Sequence, residues 1–157
     1  RFGDVEVVFP VHKNPAIRTQ AEKILGRRKR IHLIEPLEYA PFVNLMARCY
    51  MVLTDSGGLQ EEAPALGKPV LVLREITERP EALEAGTVRL VGFSRDRIVR
   101  ETEKLLRDDK EYQAMANAVN PYGDGKASIR IRKWLEYRYG LSSEIPPEFS
   151  SDFGSRS

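Results

Sequence analysis

Cysteine is almost absent: Cys49 stands alone, which excludes a disulfide framework and a thiolate metal cage. A single thiol suits a reducing, cytoplasmic setting. Long apolar runs are missing too, since none approaches the roughly 20 residues that span a bilayer. The first residues carry no signal-peptide pattern, so neither secretion nor a membrane is expected. An excess of charge is also lacking, because the net charge of +2 is too small to point to nucleic acid or an anionic surface. What remains is an ordinary globular mixture, 41% hydrophobic and 31% charged. The chain opens at Arg1 and enters a strand almost at once, which suggests a piece of something longer.

Five short apolar runs are each bounded by turn residues. Val5–Phe9, Ile31–Ile34, Tyr50–Thr54, Val70–Leu73 and Thr87–Val91 are predicted strands. Helical patterns lie between them. One starts at Asn14-Pro15, an N-cap followed by a proline at the first helical position, and stops at Gly26. Another runs from Glu38 to Arg48. Beyond Ser94, read as an N-cap, helices are expected over 96–107, 111–119 and 126–139. Strands that are apolar almost throughout and alternate with helices call for a parallel sheet covered on both faces. Right-handed crossovers then give an α/β, Rossmann-like three-layer αβα domain. We expect that domain over 1–141 and a flexible C-terminal tail over 142–157.

In such folds ligands sit beyond the carboxyl ends of the strands. Ser56, Gly57 and Gly58 lie there, after the third strand and before a helix. They form either a tight strand-to-helix turn or an anion cradle that a backbone without side chains lets a ligand approach. Glu62 follows one turn later. Its carboxylate would repel a bare phosphate but suits the hydroxyls of a ribose attached to one. Pro64 implies a short or bent helix, because an interior proline costs about 3 kcal/mol. His12 and Lys13, after the first strand, either meet an anion or flank a capped helix start. Tyr39 and Phe42 read as core residues, with Phe42 alternatively facing a flat base. Arg79 either reaches substrate oxygens or forms an ion pair with Glu75 or Glu78. The basic run Arg27–Arg30 reads as a solvated helix end, Cys49 as a buried filler and His32 as structural.

Five stretches, in this order and spacing, resemble the C-terminal half of the non-hydrolysing UDP-N-acetylglucosamine 2-epimerases. They are PVHKNP, EYAPFVNLM, LTDSGGLQEEAPALGKPVLVLR, TERPEALEAGTVRLVG and NPYGDG, and the resemblance covers about Val5 to Leu141. It implies the C-terminal domain of a two-domain GT-B-type fold, with the active site between the domains. It also implies that Ser56, Gly57 and Gly58 meet the diphosphate of UDP, Glu62 the ribose, and Phe42 the uracil, while Arg79 looks into the cleft. His12 matches a histidine that helps bind a second, regulatory UDP-N-acetylglucosamine. Where relatives often carry glutamine this chain has Leu37, which removes a side-chain contact. The implied reaction interconverts UDP-N-acetylglucosamine and UDP-N-acetylmannosamine by elimination and re-addition of UDP, with no cofactor and no metal. The family's acid–base carboxylates and catalytic histidine match no position here, so the isolated chain is expected to bind UDP weakly without turnover. An N-terminal Rossmann-like domain and a homodimer are the implied partners. A GT-B glycosyltransferase half and a non-catalytic nucleotide-sugar sensor are the competing readings.

Overall fold

The computed structural model describes residues 2–148, which fall into two compact units, one ending at Leu45 and one beginning at Met46. In the first, β1 (Val7–Pro10) pairs in parallel with β2 (Ile31–Ile34), Val7 opposite Ile31 and Pro10 opposite Ile34. Parallel neighbours need a crossover, and α1 (Pro15–Leu25) supplies it. Its start follows local chemistry: the Asn14 side chain accepts from Ala16 N at 3.0 Å, and Pro15 lacks the amide that would have gone unsatisfied. At Gly26 the amide closes on Glu22 O at 2.9 Å and the helix ends, as expected. Helix α2 (Tyr39–Arg48) begins in this unit and runs across the division.

The expectation that every strand is buried on both faces fails here. Val7, Val8 and Phe9 are 46, 41 and 38% exposed, and among the described residues β1 pairs with β2 alone. An apolar run therefore marked the strand correctly without marking its environment. Tyr39 is a second correction. It is 70% exposed rather than core, whereas Phe42 is half-buried.

The second unit carries a three-stranded parallel sheet in the order β3 (Val52–Thr54), β4 (Val70–Val72), β5 (Val88–Leu90). Two crossovers, α3 (Leu59–Ala65) and α4 (Pro80–Glu84), join them. Central β4 is buried at all three positions. Leu71 packs there with Val91, Leu105 and Met115, and Met51, Leu73 and Ile98 close the cluster. Burying a side chain such as Leu71 contributes about 2 kcal/mol. Leu105 comes from α5 (Arg95–Arg107) and Met115 from α6 (Asp109–Ala116). Helix α6 starts two residues earlier than expected because Asp108 caps it, accepting from Lys110 N and Glu111 N. Ser94 holds the N-cap position of α5 but makes no side-chain cap bond. The last helix is α7 (Ala127–Arg138).

Strand–helix alternation and all-parallel pairing meet the expected α/β class, with the strands paired in two sheets. Of the expected tail, residues 142–148 carry no helix or strand, and 149–157 lie outside the described residues.

Candidate functional site

The carboxyl end of β3 leads into Asp55-Ser56-Gly57-Gly58 and then α3. Thr54, buried at the end of the strand, turns the chain by accepting Ser56 N on its hydroxyl at 3.0 Å. Neither Gly57 nor Gly58 has a positive φ; Gly58 sits at −61°. A plain turn thus gives no conformational reason for two glycines. What they contribute is missing bulk. A Cβ on Gly57 would stand 2.8 Å from Glu78 Oε1, and one on Gly58 would meet only Glu62 Oε1 and Ser56 Oγ, both at 4.0 Å. The amides of Gln60, Glu61 and Glu62 are consumed by Gly57 O and Gly58 O within the first turn of α3. Those of Gly57, Gly58 and Leu59 donate to nothing among the described residues. The Glu78 carboxylate thus occupies the side of Gly57, whereas Gly58 is open; free donors with a carboxylate one turn away are the arrangement expected of a cradle for a phosphorylated ribose.

Helix α3 is short, as Pro64 required: seven residues, with the proline buried in its last turn. Gly67 ends it at φ +67°, the left-handed conformation that glycine adopts without penalty.

Arg79 precedes α4 and joins the same cluster, though not through the partner expected. Its Nε pairs with Glu61, not with Glu75 or Glu78. Glu78 is held instead by Arg74 Nη1 at 2.6 Å, and Glu75 accepts from Phe93 N at 3.4 Å. Sequence proximity favoured the wrong carboxylates, because Glu61 lies 18 positions upstream. Two residues that sequence reasoning did not single out complete the arrangement. Gln60 is fully buried and bonded to both Ser56 O and Thr77 Oγ1, and Thr77 Oγ1 receives Arg79 N. Only the presence of a glutamine and a threonine in stretches already of interest could have pointed to them.

The NPYGDG loop reaches this cluster. Burial, aided by the nearby carboxylates of Glu81 and Glu61, pushes the Tyr122 phenol up. Asp124, gripped by Arg130 at 2.8 and 2.6 Å, is held far below the usual carboxylate range.

In the first unit, His12 is exposed, and its Nδ1 accepts Asn14 N at 3.1 Å. A ring that accepts at Nδ1 carries its proton on Nε2. His32 pairs with Glu6 at 2.5 Å, in keeping with a structural role. Cys49 is half-buried, and burial raises its thiol pKa, so it is no activated nucleophile. Among the described residues no group of three metal-ligating side chains converges, and no helix is long and apolar enough to cross a membrane.

A family model described as UDP-N-acetylglucosamine 2-epimerase matches residues 1–136. The chain belongs to this family. The UDP-N-acetylglucosamine 2-epimerase of Escherichia coli K12 is 59% identical over 133 residues, 85% of this chain and 35% of that protein. The Bacillus subtilis enzyme of the same name is 54% identical over 149 residues, 95% of this chain and 39% of that protein. A crystal structure of the Neisseria meningitidis UDP-GlcNAc 2-epimerase bound to UDP-GlcNAc superposes with a TM-score of 0.78 at 51% identity. That match covers 83% of this chain and 36% of the Neisseria chain. This epimerase-family chain therefore spans little more than a third of the length of its relatives.

Proposed function

We propose that the chain is the nucleotide-holding part of an enzyme that interconverts UDP-N-acetylglucosamine and UDP-N-acetylmannosamine. The reaction removes the C2 proton, expels UDP to leave a glycal, and adds UDP back after the opposite face is protonated. In this reading Ser56, Gly57 and Gly58 hold the diphosphate, Glu62 the ribose hydroxyls, and Arg79 the charge that grows on departing UDP. Preorganised donors of this kind act where charge develops. Phe42 at the uracil and His12 at a regulatory UDP-N-acetylglucosamine rest on the family resemblance, as do a homodimer and a second, N-terminal Rossmann-like domain. The reaction belongs in the cytoplasm.

The observation that carries this reading is the loop's conformation: two glycines, neither at positive φ, with unused amides and with open space at Gly58 beside Glu62. The chain holds the leaving group and does not move the proton. Glu61 is engaged by Arg79, and in this reading Glu62 serves the ribose, which leaves neither as the base for C2. Adding UDP to the 15N-labelled chain is expected to shift the Gly57 and Gly58 amide signals. Unmoved signals at millimolar UDP would defeat the proposal. The isolated chain should yield no UDP-N-acetylmannosamine, and turnover would contradict the assignment of the acid–base groups to other residues.

A further inference from the structure

Gln60 is 0% exposed, yet it is polar, and both ends of its amide are used. Nε2 lies 3.2 Å from Ser56 O and Oε1 lies 2.5 Å from Thr77 Oγ1. The direction of these bonds follows from chemistry. A backbone carbonyl only accepts, so the NH2 end must face Ser56 and the carbonyl end must face Thr77. Thr77 must then donate its hydroxyl proton, which leaves a lone pair for Arg79 N–H at 3.1 Å. The bonds run one way, from the Arg79 amide through Thr77 and Gln60 to the loop after β3. Next to Gln60 on α3, Glu61 holds the Arg79 side chain through Nε. Consecutive residues of one helix thus reach the same arginine, Gln60 its backbone through Thr77 and Glu61 its guanidinium directly.

We propose that Gln60 is a positioning residue that fixes the spacing between the Ser56–Gly58 loop and Arg79, so that both close on one diphosphate. The inference rests on the UDP reading for the identity of the ligand, though not for the link itself. A hydrophobic residue of similar shape would fill the same space, whereas only a side chain with a donor at one end and an acceptor at the other can join these two partners. Glutamate would keep the Thr77 bond and lose the Ser56 bond, because its carboxylate cannot donate.

The test compares the unaltered chain with Gln60→Met and Gln60→Glu. Without ligand, solvent exchange of the Arg79 amide measured by NMR should speed by at least about tenfold in Gln60→Met, while the Leu71 amide in β4 stays protected. In Gln60→Glu the Arg79 amide should stay protected. Unchanged exchange at Arg79 in Gln60→Met, or equal acceleration at Leu71, overturns the link. With UDP, Gln60→Met should weaken binding about tenfold, and should weaken it no further in an Arg79→Ala background. Equal losses in both backgrounds overturn the positioning role. Failure of the unaltered chain to bind UDP overturns the ligand assigned to the two arms, whereas the exchange measurement still decides the link.

Discussion

Two strands end in loops that lead into helices, and the two joints are built differently. After β1, Val11 N extends the ladder to Ile34 O at 3.0 Å, but the side-chain hydrogen bonds of the Val11–Asn14 joint, among the described residues, stay within two positions. Asn14 N meets His12 two residues back, and Asn14 Oδ1 meets Ala16 two residues on. After β3, the Asp55–Gly58 joint is tied through a fully buried glutamine to Thr77, and through Thr77 to Arg79. Beyond buried Val11, the first joint is wired locally and leaves His12, Lys13 and Asn14 exposed. The second spends buried polar groups, costly to desolvate unless paired, on holding distant segments together. A turn needs only the first kind of wiring. A site that must place two arms about one ligand needs the second.

The contrast is sharpest in binding. Arg79→Ala or Glu62→Ala should each weaken UDP binding about tenfold or more, the loss expected when a charged hydrogen-bonding group is removed. His12→Ala should leave UDP affinity unchanged, and an equal loss from that substitution would erase the distinction between the joints. The next effect is on stability. Gln60→Met should cost about 1–3 kcal/mol in urea denaturation, because it strands the Ser56 carbonyl and the Thr77 hydroxyl. Asn14→Ala should cost about 1 kcal/mol, the ordinary loss of a helix cap, with no change in UDP affinity. A larger cost at Asn14 than at Gln60 would reverse the account.

The smallest effect belongs to the NPYGDG loop, which has both kinds of wiring: Asp124 accepts Lys126 N locally and Arg130 through two bonds. Its carboxyl is depressed in the folded chain, so folding favours the ionised form. That contribution is complete above the unfolded carboxyl value near pH 4 and fades as pH falls below it. The melting temperature of the unaltered chain should therefore drop more steeply on acidification below about pH 4 than that of Asp124→Asn. Parallel curves would remove Asp124 from the list of groups that set acid stability.

What could be read from the sequence follows the same division. Asn14-Pro15 and Gly26 act within one turn of themselves, and their helix appeared where local chemistry placed it. Ser56–Gly58 was located because strand and helix periods change on either side of it. Tyr39 was misjudged because helical spacing gives a face without saying whether anything covers it. Asp108 escaped notice as a cap, although an aspartate before a helical run is a local signal. The partner of Arg79 and the role of Gln60 could not be read at all. Both depend on contacts across 17 or 18 positions, which appear only when β3, α3 and the loop after β4 are folded together.

The central claim is that the Ser56–Gly58 loop and Glu62 form a nucleotide cradle, and calorimetric titration of UDP into the chain tests it most directly. We predict saturable binding that Glu62→Ala weakens about tenfold or more and that Asn14→Ala leaves untouched. No heat at millimolar UDP, or binding that Glu62→Ala does not change, would contradict the account.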